Sequence, residues 1–248
     1  VVHAKIARTG SASMYFPVDS PVLAPVRPEH TPFAPLAGAV SELRERGGRL
    51  VVLGHASPTG SDTHNDALSL ARARTVASWL RRDEAQWVDT VTEHGSPADT
   101  QRWLRHWSRT LGWDTNPGRV DGVIDAATER AVTTFQREFA QRFDASISVD
   151  GRITRTTLAA LFAVCMREFE THLRAASIDP ESEIELAEED VLGCGTSFAK
   201  EEGLVRCFGD LPGQQQRCDV VVVPPTCRWT REHGPPALFL YTRQDIVP

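Results

Sequence analysis

A nine-residue pattern occurs twice in the middle of the chain, and it constrains the fold more than any other feature. Val120-Asp121-Gly122-Val123-Ile124-Asp125-Ala126-Ala127-Thr128 recurs 29 residues later as Val149-Asp150-Gly151-Arg152-Ile153-Thr154-Arg155-Thr156-Thr157. In each copy Asp-Gly makes a turn. The next polar residue, Asp125 or Thr154, is placed to cap the helix that follows. Each copy is thus a turn-and-cap device opening a short helix, and the repeat is too short for a solenoid. Residues 97–165 around it are helical in pattern. Thr100, Trp103, Leu104, Trp107 and Leu111 line one face, and Val132, Phe135 and Phe139 line another.

The flanks follow a different rhythm. Ser13 to Phe16 reads as a strand followed by a proline-rich turn. From Thr31 to Arg46, Phe33, Leu36, Ala37, Val40 and Leu43 keep helical spacing, with Thr31 as N-cap, Pro32 opening the helix and Gly47-Gly48 ending it. Arg49 to Leu53 reads as a buried strand, and a second helix runs from about Thr63 to Leu80 with Asp62 as its cap. Far downstream, Val191 to Gly193 and Asp219 to Val223 read as two more strands. The expectation is an α/β sandwich using all four strands, interrupted by an all-α segment. Glu181 to Asp190, with six carboxylates in ten residues, reads as a solvated linker or helix face.

Composition excludes several classes. The 248 residues are 41% apolar and 24% charged, an ordinary globular balance with enough chain for a sizeable core. A net charge of −6 argues against a nucleic-acid partner, which needs a basic face. No apolar run approaches the roughly 20 residues that cross a bilayer, so no membrane-spanning segment is expected. Arginine outnumbers lysine 25 to 2, which fits a GC-rich genome. The chain starts at Val1 without a signal-like segment, so it reads as a piece of something longer or as a processed product. Cys194, Cys207, Cys218 and Cys227 crowd the last quarter, and at least one disulfide among them is expected. The tail beyond Pro224 carries Ala237-Leu238-Phe239-Leu240-Tyr241, an extra strand or a docking segment.

Two resemblances join these observations. Val51 to Val76 contains a strand, then Gly54-His55-Ala56-Ser57, Gly60, and Asn65-x-x-Leu68-Ser69-x-x-Arg72-Ala73-x-x-Val76 on a helix. This stretch resembles the OmpA-like peptidoglycan-binding family. Gly193-Cys194-Gly195 and Arg217-Cys218-Asp219-Val220 resemble that family's later strand ends. The resemblance spans 11–82 and 186–224 and implies a two-layer OmpA-like sandwich with a mixed sheet. The middle segment, 97–165, resembles the three-helix peptidoglycan-binding modules appended to wall hydrolases. Gln101 to Leu104, Asp121 to Gln136 and Asp150 to Leu161 carry that motif, with Asp125 and Thr154 where the family has glycine. An inserted helical module inside a discontinuous OmpA-like domain is therefore expected, with residues 225–248 as a C-terminal extension.

The OmpA-like resemblance implies a site for the diaminopimelate of a stem peptide. Arg72 matches the family arginine, a bidentate fork for a carboxylate. Asn65 matches its asparagine near the helix start, and Asp62 brings free N–H groups towards the same place. Ser57 stands where the family has aspartate, which removes the partner for the ligand's ammonium. Asp62 or Asp19 is placed to compensate. His55 occupies the family's own Gly-His position, so a zinc reading of His55, His64 and Asp62 is set aside, and no cofactor is expected. Trp103, Trp107, Trp113 and Phe135 read mostly as core, with one of them available to line a groove.

The functional expectation is a non-catalytic cell-wall-binding protein combining two recognition modules. No H-E-x-x-H or G-x-S-x-G pattern is present, and Glu168 and Glu170 lie on a charged helix. Two other readings stay open. One is an interaction component of an envelope, secretion or phage-tail-like assembly that has lost diaminopimelate binding. The other is the binding region of a peptidoglycan hydrolase. A periplasmic location follows from the resemblance.

Overall fold

The computed structural model describes residues 11–25, 31–196 and 216–223. Its elements, in chain order, are β1 (Ser11–Tyr15), α1 (Phe33–Arg46), β2 (Arg49–Gly54), α2 (Asp62–Arg81), α3 (Glu84–His94), α4 (Pro97–Thr110), α5 (Ala126–Phe143), α6 (Arg155–Ala175), a 3-10 turn (Glu188–Asp190), β3 (Val191–Gly193) and β4 (Arg217–Val223). The four strands form one mixed sheet in the order β1-β4-β2-β3. β4 runs antiparallel to both neighbours, while β2 and β3 are parallel, with Val52 opposite Val191. The mixed α/β architecture expected from the sequence is therefore present, with the helical segment between α2 and β3.

β2 and β4 are nearly unbroken apolar runs because both faces of the sheet are buried. Leu50, Val52, Cys218, Val220 and Val222 face the main core. Val51, Leu53, Leu192, Cys194 and Val223 form a second cluster. α2 lies flush against the strand ends because of two glycines. A Cβ on Gly54 would sit 1.9 Å from the Ser69 carbonyl oxygen, and one on Gly193 would sit 2.7 Å from Leu70 N. Only glycine permits that approach.

The helical segment is not set apart from the sheet layer. Phe33 of α1 meets Trp79 of α2 edge-on at 4.9 Å, stacks on Trp103 of α4 at 5.9 Å, and reaches Phe169 of α6 at 5.8 Å. One hydrophobic core runs from Leu50 and Val52 through this cluster to Phe135 and Phe139. Two features that the sequence reading did not contain help to join it. α3, capped by Asp83 accepting from Gln86 N at 2.9 Å, buries Trp87, Val88 and Val91. α6 continues to Ala175, ten residues past the expected boundary at 165, and buries Phe169 and Leu173 there. The start of α2 shifts slightly, with the cap at Ser61 rather than Asp62, while at α1 the expected Thr31 Oγ1 accepts from Phe33 N at 3.3 Å.

The acidic stretch keeps Glu181, Glu183, Glu185, Glu188 and Glu189 in solvent, as expected of a solvated linker, while its backbone is held as a strap. Arg44 donates to Glu183 O at 3.3 Å, and Arg81 to Leu186 O at 3.1 Å and Glu188 at 2.7 Å. Arg82 holds Pro180 O, and Arg49 pairs with Asp190 at 3.3 Å. Arginines of α1, β2 and the end of α2 thus guide the chain back to β3. Cys165, Cys194 and Cys218 are buried free thiols, and burial pushes all three pKa values up, which leaves them inert. Cys194 and Cys218 sit in different apolar clusters. Cys207, Cys227, the Ala237–Tyr241 segment and the 225–248 extension lie outside the described residues.

Candidate functional site

The repeated pattern folds into two equivalent turns, each closed by one glutamine. Gln101 Oε1 accepts from Asp121 N at 3.1 Å and Gly122 N at 2.9 Å, and its Nε2 donates to Val123 O at 2.8 Å and Thr128 Oγ1 at 3.0 Å. Gln136 does the same one helix later. Its Oε1 accepts from Asp150 N and Gly151 N, both at 2.9 Å, and its Nε2 reaches Arg152 O and Thr157 Oγ1, both at 3.2 Å. Both glutamines are buried. The expected caps form as well: Asp125 accepts from Thr128 N at 2.8 Å, and Thr154 from Thr157 N at 3.3 Å. These bonds hold Asp125 below the usual carboxylate range, and the Arg152 N–H and Gln136 do the same for Asp150. Gly122 and Gly151 adopt φ of 79° and 72°. Val123, Ile124 and Val149 stand exposed on the turns. The four aromatic candidates do not line a groove: Trp103, Trp107, Trp113 and Phe135 are all buried, and Trp107 stacks on Phe135 at 5.4 Å.

The second candidate region is the N-terminal end of α2. Ser61 caps the helix, accepting from His64 N at 3.2 Å. Arg72, expected to meet a ligand carboxylate, points inward and is 0% exposed. Its Nε donates to Ser20 O at 2.9 Å, Nη1 to His55 O at 2.7 Å, and Nη2 to Pro17 O at 3.2 Å and Gln216 Oε1 at 3.4 Å. Among the described residues no carboxylate lies within ion-pair distance of it. Burial lowers its pKa to about 10, against a pull upward from Asp19, so it stays charged at neutral pH. A buried charge is costly unless hydrogen-bonded; here four oxygens meet it. The guanidinium ties together the segment after β1, the end of β2 and the residue before β4.

His55 and Asp219 lie beside this knot. His55 Nε2 is 3.1 Å from Asp219 Oδ2, and Asp219 also accepts from Arg217 Nε at 2.9 Å and Ser13 Oγ at 2.7 Å. Burial, reinforced by the nearby Arg217 and Arg72 charges, lowers the His55 pKa despite Asp219. Burial opposes ionisation of Asp219, but its hydrogen bonds and Arg217 outweigh that and hold it at about 2. The arrangement at neutral pH is a neutral imidazole beside an ion pair.

The remaining candidates are dispersed. His64 turns away from His55 and meets Asp19 at 2.7 Å, at an exposed position. Asp19 adopts a φ of 54°, unusual for a residue other than glycine. Ser57 bonds only locally, to Thr59 at 3.0 Å. Asp62 is exposed in the first turn of α2. Asn65 is buried beneath the Gly60 turn, and its Nδ2 has no partner among the described residues. The inward direction of Arg72 has a sequence signal. Asn65, Leu68, Ser69, Arg72, Val76 and Trp79 share one helical stripe, and all are buried.

A family model described as "Putative peptidoglycan binding domain" matches residues 98–161. The match begins in the first turn of α4, ends within α6, and contains both glutamine-closed turns. No curated protein and no solved structure matches the chain.

Proposed function

We propose that this chain is a non-catalytic peptidoglycan-binding protein, or a piece of one, which engages the wall through the helices from α4 to α6. The observation that carries this reading is the coincidence of the matched segment with two intact, glutamine-closed turns. The turns hold backbone and exposed Val123, Ile124 and Val149 in fixed positions, as a surface for a repeating polymer requires. A wall-binding segment associates the chain with the cell envelope, and we place it on the periplasmic side. The direct test is sedimentation of the full chain with purified sacculi. We expect co-sedimentation without release of soluble fragments. A chain that stays in the supernatant at physiological salt overturns the reading, and solubilised wall replaces it with the hydrolase alternative.

For the α/β part we retain the OmpA-like reading, and the mixed sheet and the glycine-mediated seating of α2 support it. Two functions compete there. Stem-peptide recognition, with Arg72 as carboxylate anchor, draws on the unpartnered Nδ2 of Asn65 near the α2 N-terminus. Loss of diaminopimelate binding, with the fold kept for anchoring in an envelope or secretion assembly, is favoured by two specific observations. Ser57 supplies no charge, and the Arg72 fork is committed to protein oxygens. We adopt the second. Calorimetry with a diaminopimelate stem peptide separates them: silence for the wild type and for Ser57→Asp supports anchoring, and saturable heat for either restores recognition.

A further inference from the structure

The turn Pro17–Ser20 sits between the two candidate regions, and both hold it. Pro17 O and Ser20 O, which bracket Val18 and Asp19, both accept from Arg72. Ser20 N closes the turn on Pro17 O at 3.3 Å. On its other side the Ser20 hydroxyl donates to Asp99 Oδ1 at 2.6 Å. Asp99 belongs to the first turn of α4, inside the family-matched segment. Its Oδ2 completes the capping box with Ser96, accepting from Ser96 N at 2.9 Å. That duty needs one oxygen. The second is spent on Ser20 and on Arg102 Nη1 at 2.7 Å. Arg72, Ser20 and Asp99 are 0%, 1% and 2% exposed. A polar chain this deeply buried is costly unless every member is satisfied, so it tolerates few alternative arrangements.

We propose that Asp99 is a positioning residue that couples the wall-binding helices to the α2 end. Through Ser20 and Arg72 it fixes the Val18–Asp19 turn and the loop that follows β2. The link is continuous: Arg102 and Ser96 at α4, then Asp99, Ser20, Arg72, and finally His55 O at the end of β2. Asp19 then meets His64 in the first turn of α2. A ligand that stiffens the start of α4 therefore stiffens the α2 end as well, and by linkage the reverse holds. The second of these statements rests on wall binding by α4 to α6; the first does not.

Hydrogen exchange on the full chain tests both, with Ser20→Ala as the probe and Ser20→Thr as the conservative control. Ser20→Ala leaves the capping box of α4 intact and removes only the hydroxyl. Without ligand, we expect amides of 17–20 and 55–61 to exchange about tenfold faster in Ser20→Ala, the scale of one charge-assisted hydrogen bond. Ser20→Thr should return them to the wild-type rate. A change confined to residues next to position 20, or one that threonine does not rescue, overturns the coupling. With soluble muropeptides added, protection in the wild type should appear at 98–128 and at 17–20, and in Ser20→Ala at 98–128 only. Equal spread in both proteins also overturns it. Absence of protection in both, with a positive ligand-free result, removes the wall-binding reading and leaves the coupling standing.

Discussion

The glutamine turns of the helical part and the arginine knot at α2 solve one problem with different chemistry. An amide side chain has donors and an acceptor, so Gln101 and Gln136 each satisfy both the N–H and the C=O groups of a single turn. A guanidinium has donors only. Arg72 cannot close a turn alone; it collects oxygens from Pro17, Ser20, His55 and Gln216, which are far apart in the chain. The amide gives a local device that can be copied, and the chain carries two. The guanidinium gives a tertiary device that fixes how separate segments meet. Stability should therefore depend on the knot more than on either turn.

The largest expected effect breaks the knot. Arg72→Met takes a donor from the buried oxygens of Ser20, His55 and Gln216 and should cost about 3 kcal/mol or more. At about 2–4 °C per kcal/mol for a chain of this size, the melting temperature falls by roughly 10 °C. A urea melt within 1 kcal/mol of wild type, about one ordinary hydrogen bond, would mean that the knot is incidental. Gln136→Ala removes one amide and should cost about 2 kcal/mol, with Gln101→Ala similar, because each strands two turn N–H groups. If either glutamine variant is the more damaging, the ranking of local below tertiary is wrong.

A smaller effect separates the two turns from each other. A Cβ on Gly151 would lie 2.7 Å from Thr133 Oγ1 and 2.9 Å from Glu129 O, while one on Gly122 would meet nothing closer than 3.9 Å. Gly122→Ala should cost only the left-handed backbone penalty, about 1–2 kcal/mol. Gly151→Ala should cost more, since Glu129 O is backbone and cannot swing aside. Equal melting temperatures for the two would make the turns equivalent in packing as well as in bonding. The smallest effect concerns pH. The His55 pKa is lowered by burial, so the folded state binds this proton less readily than the unfolded chain. The stability it contributes is complete above the unfolded value near 6.5 and declines as pH falls through and below it. Between about pH 7.5 and 5 the melting temperature should drop. His55→Gln should flatten that drop, and an unchanged slope in the variant would assign it elsewhere.

What the sequence made legible follows the same division. The Asp125 and Thr154 caps were readable because each partner lies three residues on, and the structure forms them as expected. The Asp-Gly turns were readable from the dipeptide itself, while the glutamines that close them lie 14 or more residues away. Three of the four strands were readable from short Val- and Leu-rich runs, and β1 from Met14-Tyr15-Phe16. The burial of Arg72 went unread because the resemblance aimed its fork at a ligand, although its place on the Leu68–Val76–Trp79 stripe argued for the interior. α3 escaped notice between two stronger patterns. The shared core was not legible at all. Phe33, Trp79, Trp103 and Phe169 sit on four helices, and nothing local announces that they converge.

The strand order carries a consequence for synthesis. Among the described residues β1 pairs with β4 alone, and β4 also fills one side of β2. β4 is the last described strand to leave the ribosome, more than 200 residues after β1, with Ser11 opposite Val221. Until then β1 has no partner in the sheet and β2 keeps one edge open, while the helices from α3 to α6 can already assemble from contacts close in sequence. The nascent chain must carry unpaired strand edges while the residues between β1 and β4 are made.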